Sequence, residues 1–157
     1  MPSHPRPMPE GLLRYDASPF ETLGGRDVYD FLALRAEIFV VEQACAYLDP
    51  DGHDPEAWHL LGRDSRGVLG AYARVFVATS TAPHRIGRVV VHRALRGTGE
   101  GRTLMAQALD VCAAHGGGPV VLSAQAHLER FYASLGFATI SARYLVDGIE
   151  HLDMRRA

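Results

Sequence analysis

Apolar residues recur at three- and four-residue steps in two stretches of the chain and gather into short runs elsewhere. Phe31, Leu34, Ile38 and Val41 form the first stripe. A 3.6-residue period puts them on one face, so residues 27–43 are predicted as an amphipathic helix with Asp27 as its N-cap. Leu104, Met105, Ala108, Val111 and Cys112 form the second stripe, over residues 99–115. Gly116-Gly-Gly-Pro119 ends that helix, because glycine adopts the left-handed cap and proline cannot continue the turn. A shorter helix over 126–135 stops at Gly136. Runs at 58–62 and 68–78 read as strands joined across Asp64-Ser-Arg-Gly67, a hairpin pattern. Residues 85–92 hold three consecutive valines, which suits a strand buried on both faces. Residues 120–123 form a further buried strand, and 12–15 a first one ending in the turn-rich Asp16-Ala-Ser-Pro19. Residues 137–145 and 149–155 are expected to close the sheet as an antiparallel pair around Asp147-Gly148, a type I′ turn dipeptide. The segment 44–55, dense in Asp, Pro and Gly, is a loop. The order β-α-β-β-β-α-β-α-β-β is that of a mixed sheet carrying helices, hence α/β or α+β.

A length of 157 residues supports one domain, expected over 12–157 behind a loose Pro-rich tail at 1–11 that lacks the apolar core of a secretory leader. With 47% apolar and 22% charged residues the composition is globular, and a net charge of −2 gives no global case for nucleic acid. No apolar run reaches the ~18 residues of a membrane span. Two cysteines make neither a disulfide framework nor a zinc site, which points to a reducing, cytoplasmic setting. All sixteen basic residues are arginine. Without lysine the chain has no Walker A phosphate loop and no Schiff-base chemistry.

The sharpest local pattern is Ile86-Gly-Arg-Val-Val-Val-His-Arg-Ala-Leu-Arg-Gly-Thr-Gly-Glu-Gly-Arg102, a strand running into a glycine-rich turn at a helix start. Unpaired N–H groups and the helix dipole favour an anion there. Gly97, Gly99 and Gly101 allow close backbone approach, while Arg93, Arg96 and Arg102 bracket the turn with positive charge. The dinucleotide fingerprint fails, because Arg102 stands where its third glycine belongs. Taken alone, the stretch reads equally as a flexible loop with solvated arginines.

The spacing Arg96-x-x-Gly99-x-Gly101 after a valine-rich strand resembles the coenzyme A pyrophosphate loop of the GNAT superfamily of N-acetyltransferases. Downstream, Gln125-x-x-Leu128-x-x-Phe131-Tyr132-x-x-x-Gly136-Phe137 resembles the family's second motif, with Gln125 in place of the usual Asn and Leu128 in place of Ala. Phe39-Val-Val-Glu-Gln43, Tyr47-Leu-Asp-x-Asp-Gly52, His59-Leu-Leu-Gly62, Leu122-Ser-Ala-Gln-Ala-His127 and Asp147-Gly-Ile-x-His151 are similar to its ElaA-like branch. The resemblance covers about residues 12–155. It implies a mixed, mostly antiparallel sheet flanked by helices and splayed at a cofactor cleft. It also implies acetyl-CoA as cosubstrate, with direct attack by a primary amine of a small molecule or peptide in a ternary complex.

By that resemblance Val89, Val90 and Val91 carry a β-bulge whose backbone pairs with the pantetheine arm and whose N–H polarises the thioester carbonyl. The backbone of Arg96, Gly97, Thr98, Gly99, Glu100, Gly101 and Arg102 holds the pyrophosphate, and Gln125 contacts the arm. Tyr132 matches the tyrosine that protonates the departing thiolate, although a tyrosine on an amphipathic helix is also an ordinary core residue. His151, His59 and Glu42 are the candidates for removing the amine proton, with His127 nearby. For each histidine a satisfied structural role is the competing reading, and His92 is read as positional. His59, His127 and His151 have zinc-binding chemistry, but no close ligand pair accompanies them, so no metal is expected. Asp49-Pro-Asp-Gly-His-Asp54 departs from the calcium-loop pattern. Asp49, Asp51, Asp54 and Glu56 read either as an acidic rim for an amine cation or as turn-forming, solvated aspartates. The partners expected are acetyl-CoA and an amine acceptor, with no nucleic acid and no membrane, in a monomer or homodimer. The contrasting function is a non-catalytic CoA-binding sensor or partner-binding module on the same fold.

Overall fold

The computed structural model describes residues 6–157. The chain runs through β1 (Arg14–Pro19), α1 (Gly25–Arg35), β2 (Trp58–Arg63), β3 (Leu69–Phe76), β4 (His84–Val91) and α2 (Glu100–Ala114). It continues through β5 (Val120–Gln125), α3 (Glu129–Ala133), β6 (Ala138–Thr139), β7 (Tyr144–Val146) and β8 (Ile149–Arg156). Helix α1 is prolonged by a π-helical segment, Ala36–Glu42, whose wider winding shows in the i→i−5 bonds from Gln43 N–H to Ile38 O and from Cys45 N–H to Val40 O.

One sheet holds all eight strands in the order β1-β2-β3-β4-β5-β8-β6, with β7 also on β8. Every pairing is antiparallel except β4–β5. Helix α1 covers one face, where Phe31, Leu34 and Ile38 pack with Leu61, Tyr72 and Val90. Helices α2 and α3 cover the other, where Leu104, Met105, Ala108 and Tyr132 pack with Leu60, Ala71, Ala73, Val75 and Ile86. Each fully buried Phe or Leu adds roughly 1.5–3 kcal/mol to this three-layer packing. The two apolar stripes in the sequence are these two helix faces, except for Val41, which lies in the π-helical segment and is exposed rather than packed.

Several local expectations change. Gly24 rather than Asp27 caps α1; Asp27 lies three residues on, and its carboxylate accepts the Gly24 N–H at 3.3 Å. The turn expected at 16–19 is strand, because every residue of β1 finds a partner on β2. The strand expected over 137–145 is broken into β6 and β7, and the break is held by Ile140 N–H on Asp153 O and Asp153 N–H on Ser141 Oγ. Asp147 and Gly148 both have positive φ, +49° and +78°, as a type I′ turn requires. Residues 1–5 of the expected loose tail lie outside the described residues. Its later part is tied down: Pro9 is buried against Gly70, Glu10 N–H donates to Asp64, and Arg66 donates to Met8 O.

Strand β4 departs from regular geometry in two ways. Tyr72 pairs with Val90 but Arg74 pairs with Gly87, so Ala73 alone faces both Arg88 and Val89. This is a β-bulge, and Arg88 within it has φ +49°. It takes in Val89, the first residue of the valine run in which it was expected, together with Arg88 before it. Because side chains alternate with period two, the extra residue switches the faces: Ile86 packs under α2, and Val90, four residues on, packs under α1. The second departure is the pairing with β5, which consists of His84↔Val120 and Arg85↔Val121. Beyond those pairs the two parallel strands diverge.

Candidate active site

Where β4 and β5 diverge, a cleft of about 1010 Å3 opens. Its walls are residues 86–91 of β4, Ser123 to Gln125 at the end of β5, Leu128 and Tyr132 around α3, and Phe39, Glu42 and Gln43 at the end of α1. The mouth is formed by Tyr47, Leu48 and Asp51 from the long loop and by Val146, Asp147, Ile149 and His151 from the β7–β8 hairpin. Leu128, Tyr132, Val89 and Val91 belong to the α2 side of the sheet, whereas Phe39 and Val90 belong to the α1 side. The cleft therefore passes through the sheet and can be entered from both faces.

Of the residues expected to hold the cofactor, Val89, Val90, Val91, Arg96 and Gln125 line this cleft. The remainder, Gly97 to Arg102, follow at the start of α2, outside its walls. Gly97 and Gly99 have φ of +75° and +86°, and no atom lies within 4 Å of where a Cβ would sit on either. Positive φ is what requires glycine here, and the space above both is open. Gly101 serves packing instead: its Cβ position is 3.4 Å from the Phe131 ring. Arg102 is turned the same way, donating to Ser134 Oγ at 2.8 Å with its guanidinium 5.8 Å from the Phe131 ring centre. Glu100 accepts the Tyr15 hydroxyl proton at 2.5 Å, which ties β1 to the start of α2.

The four catalytic candidates separate. Tyr132 is only 6% exposed, lines the cleft, and burial alone pushes its phenol up to about 12, so it stays protonated at neutral pH. His151 lies at the cleft end of β8, opposite Gln125. Its Nδ1 sits 2.8 Å from Ile149 O, a carbonyl that can only accept, so Nδ1 carries the proton and Nε2 is left as a lone-pair acceptor. Glu42 lines the cleft but is held in a two-point ion pair by Arg96, which lowers its pKa further below the ordinary carboxylate range. As a base it is therefore weak. His59 is corrected outright. It is fully buried under α1, stacked 4.7 Å from the Phe31 ring, with Nε2 donating to Asp54 O and Nδ1 accepting from Tyr72 OH. Both nitrogens are used, so the structural reading holds for this histidine. With His59 in the core and His127 and His151 on the cleft, the three do not gather around a common point, and no metal-holding group is found among the described residues.

The acidic loop is corrected as well. Asp49 accepts from Arg35 Nε at 2.7 Å and Arg88 Nε at 2.9 Å. Asp54 accepts from Arg35 Nη1 at 2.7 Å and Arg74 Nη1 at 3.0 Å, and Asp51 takes both Arg74 Nη atoms at 2.9 Å. Arg35 has no exposed surface. Although burial favours the neutral acid at Asp54, the two guanidiniums hold it below the usual carboxylate range. Three carboxylates thus meet three guanidiniums. They form not a free acidic rim but a strut, buried at Arg35, Asp49 and Asp54 and open to solvent at Asp51, that fixes the loop to α1, β3 and the β4 bulge; Glu56 stays outside it, exposed beside His53.

Gln125 is committed too: it exchanges amide hydrogen bonds with Gln43, at 3.3 and 3.2 Å, joining the end of β5 to the end of α1. Sequence reasoning missed Gln43, Arg88, Leu48 and Val146 as lining residues. Gln43 and Leu48 lay in family-like stretches and Arg88 in the strand that leads to the glycine turn; nothing local distinguished Val146.

The sequence profile of the acetyltransferase (GNAT) domain matches residues 56–157. This chain belongs to the GNAT family. It is 44% identical to protein ElaA of Escherichia coli over 138 residues, 82% of this chain and 86% of that one. A UPF0039 protein of Synechocystis is 42% identical over 137 residues, covering 86% and 89%. The crystal structure of Escherichia coli ElaA superposes with a TM-score of 0.86 over 93% of this chain and all of that one. An acyl-CoA N-acyltransferase from Pseudomonas aeruginosa, 39% identical, gives the same TM-score over 92% of this chain and all of that one. This GNAT protein thus lies in the ElaA-like branch, and its open mixed sheet is the family's. Among its described residues no helix is long and apolar enough to cross a membrane.

Proposed function

We propose that this GNAT protein is an acetyl-CoA-dependent N-acetyltransferase acting on a primary amine of a small molecule or peptide by direct attack in a ternary complex. The Tyr132 phenol carries this reading. It lines the cleft, is kept protonated by burial, and has no protein hydrogen-bond partner among the described residues. The ring is buried while the hydroxyl oxygen keeps access to the cleft, so it is free to donate to a ligand there. An acyltransferase needs a proton donor at that wall, whereas a sensor that only binds has no use for one.

The fit to the cosubstrate rests on the open space above Gly97 and Gly99 and on the unpaired facing edges of β4 and β5. The amides at the start of α2 hold the pyrophosphate, and the residues of β4 around the bulge pair with the pantetheine arm and direct an N–H at the thioester oxygen. Tyr132 donates its proton to the departing thiolate. His151 Nε2 takes the amine proton, directly or through water.

The test is a panel of primary amines with detection of free CoA, run beside Tyr132→Phe. That variant should lower kcat by about 10²–10⁴-fold with KM nearly constant, because the bond is made mainly in the transition state. Its melting temperature should stay near that of the parent, since no partner is orphaned. A folded Tyr132→Phe protein with nearly full kcat removes the acid assignment. Coenzyme A binding with no turnover of any amine favours the sensor.

A further inference from the structure

The charge balance at the cleft mouth narrows the acceptor, given the transferase reading above. Three lining residues are acidic: Glu42, Asp51 and Asp147. Arg96 neutralises Glu42, and Arg74 and Arg88 neutralise Asp51. Asp147 alone has no cation partner among the described residues. Its segment is fixed against the opposite lip, because Cys45 Sγ donates to Asp147 O at 3.4 Å. Leu48, on the long loop, and Val146, on the hairpin, both line the cleft beside that contact. They are 81% and 42% exposed. Large apolar side chains left open at a cleft mouth mark a surface that loses water when a ligand seats.

We propose that the acceptor is a primary monoamine with an apolar alkyl or aryl body, which lies between Leu48 and Val146 with its ammonium paired to Asp147 before the proton is removed. One uncompensated carboxylate suits one ammonium. A polyamine or an aminoglycoside would bring further charges to apolar lips and lose hydration without a counter-charge. Leu48→Asp tests this at an exposed position, where folding is not at stake: it removes one lip and adds a second carboxylate.

The probes are 2-phenylethylamine, hexylamine and spermidine. Acetyl transfer is followed by CoA release, and binding is followed by calorimetry on the CoA-saturated protein. The parent should favour 2-phenylethylamine or hexylamine over spermidine in kcat/KM. Leu48→Asp should raise KM for the monoamines about tenfold, with kcat little changed, and shift the ratio toward spermidine. Calorimetric binding of the monoamines that is weakened by Leu48→Asp supports the inference even where no acetyl group moves, in which case the transferase reading fails on its own. Turnover of spermidine in preference to both monoamines overturns the inference and leaves the transferase reading standing. An unchanged preference in Leu48→Asp, or monoamines that neither bind nor react, also overturns it.

Discussion

His59 shows how far a residue's type is from its role. Its neutral ring is locked in one tautomer between Asp54 O and Tyr72 OH and sandwiched under α1. His59→Ala leaves both partners without a bond and opens a cavity, a loss of about 2–4 kcal/mol. The melting temperature should therefore fall by roughly 5–15 °C, with kcat per folded molecule unchanged. A loss of rate at constant melting temperature would show a catalytic histidine instead. Burial, the largest cause, depresses the His59 pKa below its ordinary 6.5. Below that value the unfolded chain binds a proton that the folded one refuses. The stabilisation is thus fully present above pH 6.5 and declines as pH falls through the depressed folded value. Equilibrium unfolding between pH 5 and about 8 should show this slope, and a variant lacking His59 should flatten it.

At the scale of elements, the turn from β4 into α2 separates two uses of glycine. Gly99 caps α2 from the left-handed region under open space. An Asp there strains the backbone and places a carboxylate where a pyrophosphate would approach. Gly99→Asp is expected to abolish the rise in melting temperature on adding CoA. Gly101 has ordinary helical geometry, and its added Cβ would meet only the edge of the Phe131 ring. Gly101→Ala should therefore cost stability slightly and keep the CoA response. Equal loss of response in both variants would mean that packing against α3, rather than the left-handed turn, makes the site.

Across the whole molecule, the strut of Arg35, Arg74 and Arg88 with Asp49, Asp51 and Asp54, buried at one end and exposed at the other, joins α1, the long loop, β3 and β4. Asp49→Ala leaves the fully buried Arg35 with half its partners, a loss of about 3–5 kcal/mol. Asp51 is more exposed, so solvent screens its pairs, and Asp51→Ala should cost about 1 kcal/mol or less. Denaturant melts of the two variants check the order; similar losses would mean that burial does not govern the strut. The divergence of β4 and β5 carries a separate expectation. Hydrogen exchange along residues 86–91 and 122–125 should slow when CoA binds, with a gain in stability of about 2.7 kcal/mol at a hundredfold excess over Kd. Uniform protection across the sheet, with none concentrated at those edges, would count against the cleft as the binding site.

Periodicity determined the helices facing each sheet surface, because Phe31, Leu34 and Ile38, and likewise Leu104, Met105 and Ala108, are spaced by local geometry alone. The Asp147-Gly148 hairpin was equally legible, since positive φ at both positions leaves few residue choices. Two family-like stretches located the glycine turn and Tyr132 before any coordinate did. What only the tertiary structure decided were the pairings. Arg88 has no local mark of its left-handed backbone; the bulge exists because β3 and β4 must keep register while Ile86 and Val90 turn to opposite faces. A run of aspartates reads as an acidic rim until arginines from three distant elements arrive to neutralise it, and Glu42 reads as a base until Arg96 takes it. Charge, burial and proton affinity belong to a residue's neighbours, and those neighbours are set by chain contacts far apart in sequence.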